Sequence, residues 1–368
     1  MIPVFRPDLP KAAAIASYLT LLDESRRYAN RGDLTLMLER RLTDLFGIAQ
    51  GGVLSAASGT AALTAAILAS AGRARASKPL CLCAGYTFVA APLAAELCGY
   101  RPHFVDIDAD AWAPDPRRLA IHSLLDRTGV VLVPAPYGRS YSQAGWSEFS
   151  RVAGVPVVID AAAGVELFAD GAPDLVGAVP VVLSFHATKA FAVGEGGAIV
   201  CADLPLLRAA AASLNFGFAG ARETTAPGFN GKMSEHHAAV GLAELDGWAE
   251  KRRALRRVAD AYRRYAAERG VKIHTAPSVA SNYALLEATS ERAAQDACAK
   301  LRAAGFDSRL WYGLGLHREP YFRDAARDPL PQVEALAPRL IGLPVAADLA
   351  EAVVERIVAV VAAALRQP

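Results

Sequence analysis

Between about residues 50 and 205 the chain alternates short apolar runs with amphipathic stretches. Residues 80–83, 103–107, 130–133, 155–159, 181–185 and 198–201 are short, apolar and rich in β-branched residues, and they predict buried strands. Helical spacing over 60–71, 89–98, 116–125 and 143–153 fills the gaps between several of them. Strand–helix alternation of this kind predicts an α/β fold with a largely parallel, doubly wound sheet covered on both faces. Such sheets take their ligands at the carboxyl ends of the strands.

Beyond Gly231 the rhythm changes. The pattern over 233–268 is helical, with a break expected near Gly247, and one face is heavily charged. A strand at 283–287, a helix at 292–304, a Gly/Pro-rich loop at 311–331 and an apolar helix at 349–365 follow. This predicts a smaller α/β domain over 251–368 packed on a large domain over 1–250, with the long helix as connector.

Composition narrows the class. A chain of 368 residues, 53% hydrophobic and 21% charged, is globular and long enough for two domains. Its net charge of +2 is spread out, which argues against a nucleic-acid polymer or a membrane surface as partner. The one basic cluster, Lys251, Arg252, Arg253, Arg256 and Arg257, is expected to be the solvated face of a helix. Residues 45–72 carry no charge, but glycine, serine, threonine and alanine make the stretch too weakly apolar for a membrane span, so a buried turn and helix is expected. Five cysteines fit neither a zinc spacing nor a disulfide framework, and no metal site is expected. Buried thiols and an N-terminus without a signal-peptide pattern suggest a cytoplasmic protein.

Three local patterns carry chemistry. Residues 181–185 deliver Lys189 into a loop, and Gly194, Gly196 and Gly197 turn the chain into the next strand. A partly buried lysine there suits imine formation, because burial frees its amine, although a surface lysine after a hairpin has the same spacing. Asp160 ends an apolar strand and is followed by Ala161, Ala162 and Ala163. It could cap a turn, or it could hold a protonated ring nitrogen. At an effective dielectric near 20 such a pair at ~4 Å is worth ~4 kcal/mol, about three pKa units. Ser58, Gly59 and Thr60 open a helix, where a serine cap and free N–H groups suit a phosphate.

Taken together these segments resemble the DegT/DnrJ/StrS family of sugar aminotransferases over nearly the whole chain. The likeness runs through Ser58-Gly59-Thr60, Tyr86-Thr87-Phe88, His103 to Asp108, Val158 to Ala162, Ser184 to Lys189 with Gly194 to Val200, and Gly228 to Glu235. The variant Phe185-His186-Ala187-Thr188-Lys189 is similar to the branch acting on dTDP-linked 3-keto- or 4-keto-6-deoxyhexoses.

The resemblance implies a fold type I, aspartate-aminotransferase-like enzyme that uses pyridoxal 5'-phosphate. It implies that Lys189 carries the cofactor and shuttles the proton, and that Asp160 holds the pyridine nitrogen. Phe88 and Ala162 would flank the ring. Gly59, Thr60 and Ser184 would meet the phosphate, joined by Asn230 from the partner of a homodimer with shared sites. Tyr28, Asn30, His186, Arg309, Trp311, Tyr312 and His317 fall where sugar and nucleotide contacts cluster.

The implied reaction passes an amino group from an amino-acid donor, glutamate, to a keto-deoxysugar nucleotide. A cyclitol or another secondary-metabolite ketone is the alternative acceptor, and a non-catalytic protein that binds the cofactor or a sugar nucleotide is the alternative class. Dehydratases of the family replace the lysine with histidine, and here Lys189 stands. Three departures accompany the likeness. Ala163 stands where the family often has glutamine beside the cofactor's phenolic oxygen, Gly231 and Lys232 interrupt an Asn-Tyr-Arg-Met pattern, and Pro136-Tyr137-Gly138-Arg139 lacks a preceding His-Leu.

Overall fold

The computed structural model describes residues 1–169 and 173–366. Its strands, in chain order, are β1 (Gly52–Ala56), β2 (Leu80–Ala84), β3 (Arg101–Val105), β4 (Thr128–Pro134), β5 (Val157–Asp160), β6 (Val181–Ser184), β7 (Gly197–Cys201), β8 (Ile273–His274), β9 (Leu285–Glu287), β10 (Ala326–Arg327) and β11 (Leu340–Gly342). Eight of them form one sheet in the order β1-β7-β6-β5-β4-β2-β3-β10.

The six strands from β6 to β10 in that order run parallel, whereas β7 is antiparallel to both β6 and β1. The reversal follows from the short link between β6 and β7, which holds no crossover helix that could bring the chain back in the same direction.

Both faces of the sheet are buried, and alternate residues serve opposite cores. Val131, Val133, Val157, Ile159, Val181 and Leu183 belong to one. Val130, Leu132, Val158 and Val182 belong to the other. Removing a side chain as large as Leu132 from such a core costs about 2–5 kcal/mol. This period of two on a doubly covered sheet explains why the strands read as continuous apolar runs.

The C-terminal region builds a second, antiparallel sheet in the order β11-β9-β8, with the helices Glu291–Ala303 and Glu351–Leu365 packed together beside it. The N-terminal segment joins this region, with Ile2 bridging Phe306 and Phe5 bridging Val345.

Several expectations need correction. The helix Glu235–Arg269 runs 35 residues without a break at Gly247. A lone helical glycine costs only about 1 kcal/mol, and Leu242, Trp248, Leu255, Val258 and Tyr262 are all buried along the same helix. Lys251 and Arg252 are not solvated: Lys251 bonds Glu244 at 2.6 Å and Arg252 lies 3.8 Å from Glu166, each with a side chain 13% exposed. The helix predicted over 116–125 is a four-residue turn, Pro116–Leu119. The uncharged stretch includes a strand, β1, before its helix Gly59–Ser70. The 311–331 loop contributes β10, which pairs with β3 of the large sheet. Among the described residues no helix is long and apolar enough to cross a membrane.

Candidate active site

Four of the parallel strands, β2, β4, β5 and β6, end at one cavity of about 370 Å³. β5 ends in Asp160 and β6 in Ser184, and the loop after β6 carries His186, Thr188 and Lys189. Thr87 and Phe88 follow β2, and Pro136 and Tyr137 follow β4. The opposite wall comes from the C-terminal region through Tyr283, Arg309, Trp311 and Tyr312, and Phe5 reaches in from the N-terminus.

A second cavity, about 430 Å³, shares Ala163 with the first and is bordered by Glu166, Asp260 and Arg263. Its charges are engaged: Arg263 bonds Asp260 and the Ala276 carbonyl, and Glu166 accepts from the Ser281 N–H at 2.6 Å. The smaller cavity holds the lysine, the buried acid and the open helix end, so the chemistry belongs there.

The helix end is built by close packing. Ser58 adopts an extended backbone, and its Oγ accepts the Ala61 N–H at 3.1 Å. Gly59 and Thr60 then start the helix with no carbonyl one turn earlier to receive their N–H groups, and both residues line the cavity. β7 must pass against this turn. A Cβ at Gly197 would stand 2.7 Å from the Gly59 nitrogen, so only glycine fits there. Gly194 has φ +96°, a left-handed conformation that lets the chain double back toward β7. N–H groups at a helix start, beside the Ser184 hydroxyl, are suited to an anionic phosphate.

Asp160 is 7% exposed, and its carboxylate makes one hydrogen bond among the described residues, accepting the Ala162 N–H at 3.1 Å. Burial raises its pKa, opposed by that amide and by the charge of Lys189. A buried acid so poorly supplied with donors suits a protonated ring nitrogen as partner. Lys189 is half-buried, and its amine has no hydrogen bond or ion pair among the described residues. Phe88 is an exposed ring, 56% accessible, on the rim of the cavity, and Ala162 lies on its floor near Asp160. The acid, the amine, the phosphate cradle and the apolar flanks all fit pyridoxal phosphate.

Trp311 and Tyr312, named from the sequence, belong to an aromatic wall whose other members, Phe5, Tyr137 and Tyr283, sequence reasoning missed. Tyr86 and Tyr137 share a 2.8 Å hydroxyl–hydroxyl bond, Tyr137 stacks on Tyr312 with centroids 4.8 Å apart, and Tyr283 meets Tyr137 edge-on. Burial raises the pKa of Tyr86, Tyr137 and Tyr312. Trp311 packs between Phe5 and Tyr283, and the Arg309 guanidinium lies 5.2 Å over its ring. Only the turn residues beside Tyr137 hinted at its place, and nothing near Phe5 or Tyr283 did.

Four named candidates lie apart from the lining of this chain's cavity. Tyr28 stacks on His236 at 6.0 Å, and Asn30 sits in the same loop with φ 68°. Asn230 is exposed and accepts from Lys232 Nζ at 2.8 Å. His317 is buried, its Nε2 3.4 Å from Glu334 without a hydrogen bond. His186 does line the cavity, and its Nδ1 lies 2.8 Å from the Thr188 hydroxyl.

Comparison with known proteins agrees with this geometry. The model of the DegT/DnrJ/EryC1/StrS aminotransferase family matches residues 11–362. The chain is 35% identical over 369 residues to protein Rv3402c of Mycobacterium tuberculosis, covering 98% of this chain and 89% of the relative. A Bacillus cereus protein described as a PLP-dependent aminotransferase superposes with a TM-score of 0.89 at 28% identity, covering 98% of this chain and 99% of that one. DesI, crystallised in the presence of its TDP-sugar product, gives 0.86 at 29% identity, covering 99% and 93%. The chain therefore belongs to the DegT/DnrJ/EryC1/StrS aminotransferase family and is an enzyme that uses pyridoxal phosphate.

Proposed function

We propose that this enzyme moves an amino group from glutamate to a keto-deoxysugar carried on a nucleotide, releasing an aminosugar nucleotide. The observation that carries the reading is the meeting of Lys189, Asp160 and the Gly59–Thr60 helix start in one cavity whose far wall is aromatic. The TDP-sugar product of DesI, a similar protein, indicates the acceptor class.

Pyridoxal phosphate, when bound, supplies the electron sink that makes the transfer possible. Asp160 keeps the ring nitrogen protonated and fixes the ring's direction in the cavity. The N–H groups of Gly59 and Thr60 and the hydroxyl of Ser184 hold the phosphate. Phe88 and Ala162, which line the cavity, would flank the ring and keep water from the reacting carbon. Lys189 would anchor the cofactor, and its Nζ would then carry the proton to and from that carbon. Arg309, Trp311 and Tyr312 face the nucleotide sugar, with the cationic guanidinium suited to its phosphates. His186 touches the sugar.

The functional unit in this reading is a homodimer, with Asn230 of each subunit completing the partner's phosphate site. The five thiols of each chain, free of disulfides, suit a reducing cytosol.

The test is a panel of dTDP-linked 3-keto- and 4-keto-6-deoxyhexoses, with a cyclitol ketone as control, offered with glutamate and other amino acids. Aminosugar nucleotide should form from the keto-sugars with stoichiometric 2-oxoglutarate. Amination of the cyclitol alone would move the acceptor class, and no amination of any ketone would refute the reading.

A further inference from the structure

We infer a second site, remote in the fold from the cofactor cavity: His103, His122 and Asp328 form a binding site for one borderline divalent metal ion, with Zn²⁺ the best match. His103 lies on β3, His122 in the turn after Pro116–Leu119, and Asp328 directly after β10. Their Nε2, Nε2 and carboxylate oxygen atoms all lie within 4.8 Å of one another. Each histidine Nε2 is already close to a different oxygen of Asp328, at 2.8 Å from His103 and 2.9 Å from His122. The rings meet edge-on at 73°, and both Nε2 atoms converge on the one Asp328 carboxylate.

Two imidazoles and one carboxylate are the donor set of an open tetrahedral zinc site. The ring side chains are 10% and 13% exposed while Asp328 is 34% exposed, so three protein donors face inward and the fourth position opens on water. Donors on a tetrahedral ion with ~2.1 Å bonds stand about 3.4 Å apart, so the two contacts to Asp328, now 2.8 and 2.9 Å, must open slightly to admit it. The turn carrying His122 can supply that movement, since its neighbour Ile121 is 87% exposed and unpacked. Free of metal, His122 Nδ1 accepts the Leu124 N–H at 3.2 Å, which leaves the proton on Nε2 to bond Asp328. Coordination through Nε2 shifts that proton to Nδ1 and breaks the Leu124 bond. The ion thus trades three hydrogen bonds for three coordinate bonds, and it staples β10 and the 120–124 turn onto β3.

The site is structural. It sits at the β10 edge of the sheet, while Asp160 and Ser184 lie on β5 and β6. The inference is therefore independent of the proposed reaction.

Holoenzyme stripped with a chelator and titrated with Zn²⁺ should take up one equivalent per chain that His122→Ala and Asp328→Asn lack. Affinity in those variants should fall at least about tenfold, with the melting temperature of the parent alone rising by several degrees on zinc addition. Co²⁺ should give visible bands of a four-coordinate site, and the Leu124 amide resonance should move. His122→Gln, which keeps the size and polarity of the side chain, guards against misfolding: it should retain its circular-dichroism spectrum and bind no zinc at this position. Equal zinc uptake by parent and variants, or no stoichiometric uptake by the parent, would leave the triad a hydrogen-bonded clasp and overturn the inference.

Discussion

Gly59 lies so close to Ser184 that a Cβ on residue 59 would stand 3.0 Å from the Ser184 Cβ and 3.3 Å from its Oγ. The helix start and the tip of β6 are thereby locked into one cradle. Gly59→Ala should leave the fold intact, push Ser184 aside by a few tenths of an ångström and weaken cofactor binding about tenfold, or ~1.4 kcal/mol. Fluorescence titration of the apoenzyme with pyridoxal phosphate reads this directly. Unchanged affinity in both Gly59→Ala and Ser184→Ala would remove the cradle from the phosphate.

Lys189 is the one lysine lining the cavity beside Asp160. Borohydride reduction of the holoenzyme followed by peptide mapping should place the pyridoxyl label on Lys189, and Lys189→Ala should abolish transfer. A label on any other lysine would refute the assignment.

Asp160 makes stability and activity pull in opposite directions. Its folded pKa is raised by burial, so its contribution to stability is full below the unfolded value near ~4 and is lost as pH rises through the folded value. At pH 7 the cofactor-free protein therefore carries the cost of a buried anion. Apo Asp160→Asn should melt higher than apo parent at pH 7, and the gap should close toward pH ~4. The same change should slow turnover about a thousandfold, the equivalent of ~4 kcal/mol of lost pairing. Near-parental turnover at saturating cofactor would rule out the role.

Most of the sheet could be read from the chain because strands buried on both faces show as uninterrupted apolar runs, as 130–133 does. The cofactor side was equally readable, since Asp160, Ser184 and Lys189 lie at or just beyond the tips of such runs. The substrate side was readable only in part: His186, Arg309, Trp311 and Tyr312 line the cavity, whereas Tyr28, Asn30 and His317 do not. Phe5, Tyr86, Tyr137 and Tyr283 meet only through tertiary packing, and no local spacing announces that. Gly247 misled because local propensity is weak against packing along a long helix. Lys251 and Arg252 misled because their partners, Glu244 and Glu166, include one far off in the chain.

Asn230 is exposed beside Lys232 and lies apart from its own chain's cavity lining. If each subunit lends it to the other, losing it should cost ~1.5–3 kcal/mol of cofactor binding, rescued by excess cofactor. Mixing Lys189→Ala with Asn230→Ala subunits should then restore about a quarter of all sites, because one site of each heterodimer gathers both lesions. Verified subunit exchange without recovery at limiting cofactor would place Asn230 outside the partner's site.

The two-residue strand β10 has a consequence for how the molecule is made. It pairs Ala326 with His103 and Arg327 with Phe104, across more than half the chain. During synthesis β3 emerges early and remains an open sheet edge until the ribosome has delivered nearly the whole polypeptide. A nascent chain released before Ala326 would present that edge to its neighbours as a template for strand addition, so premature termination here yields a sticky fragment rather than a smaller working enzyme.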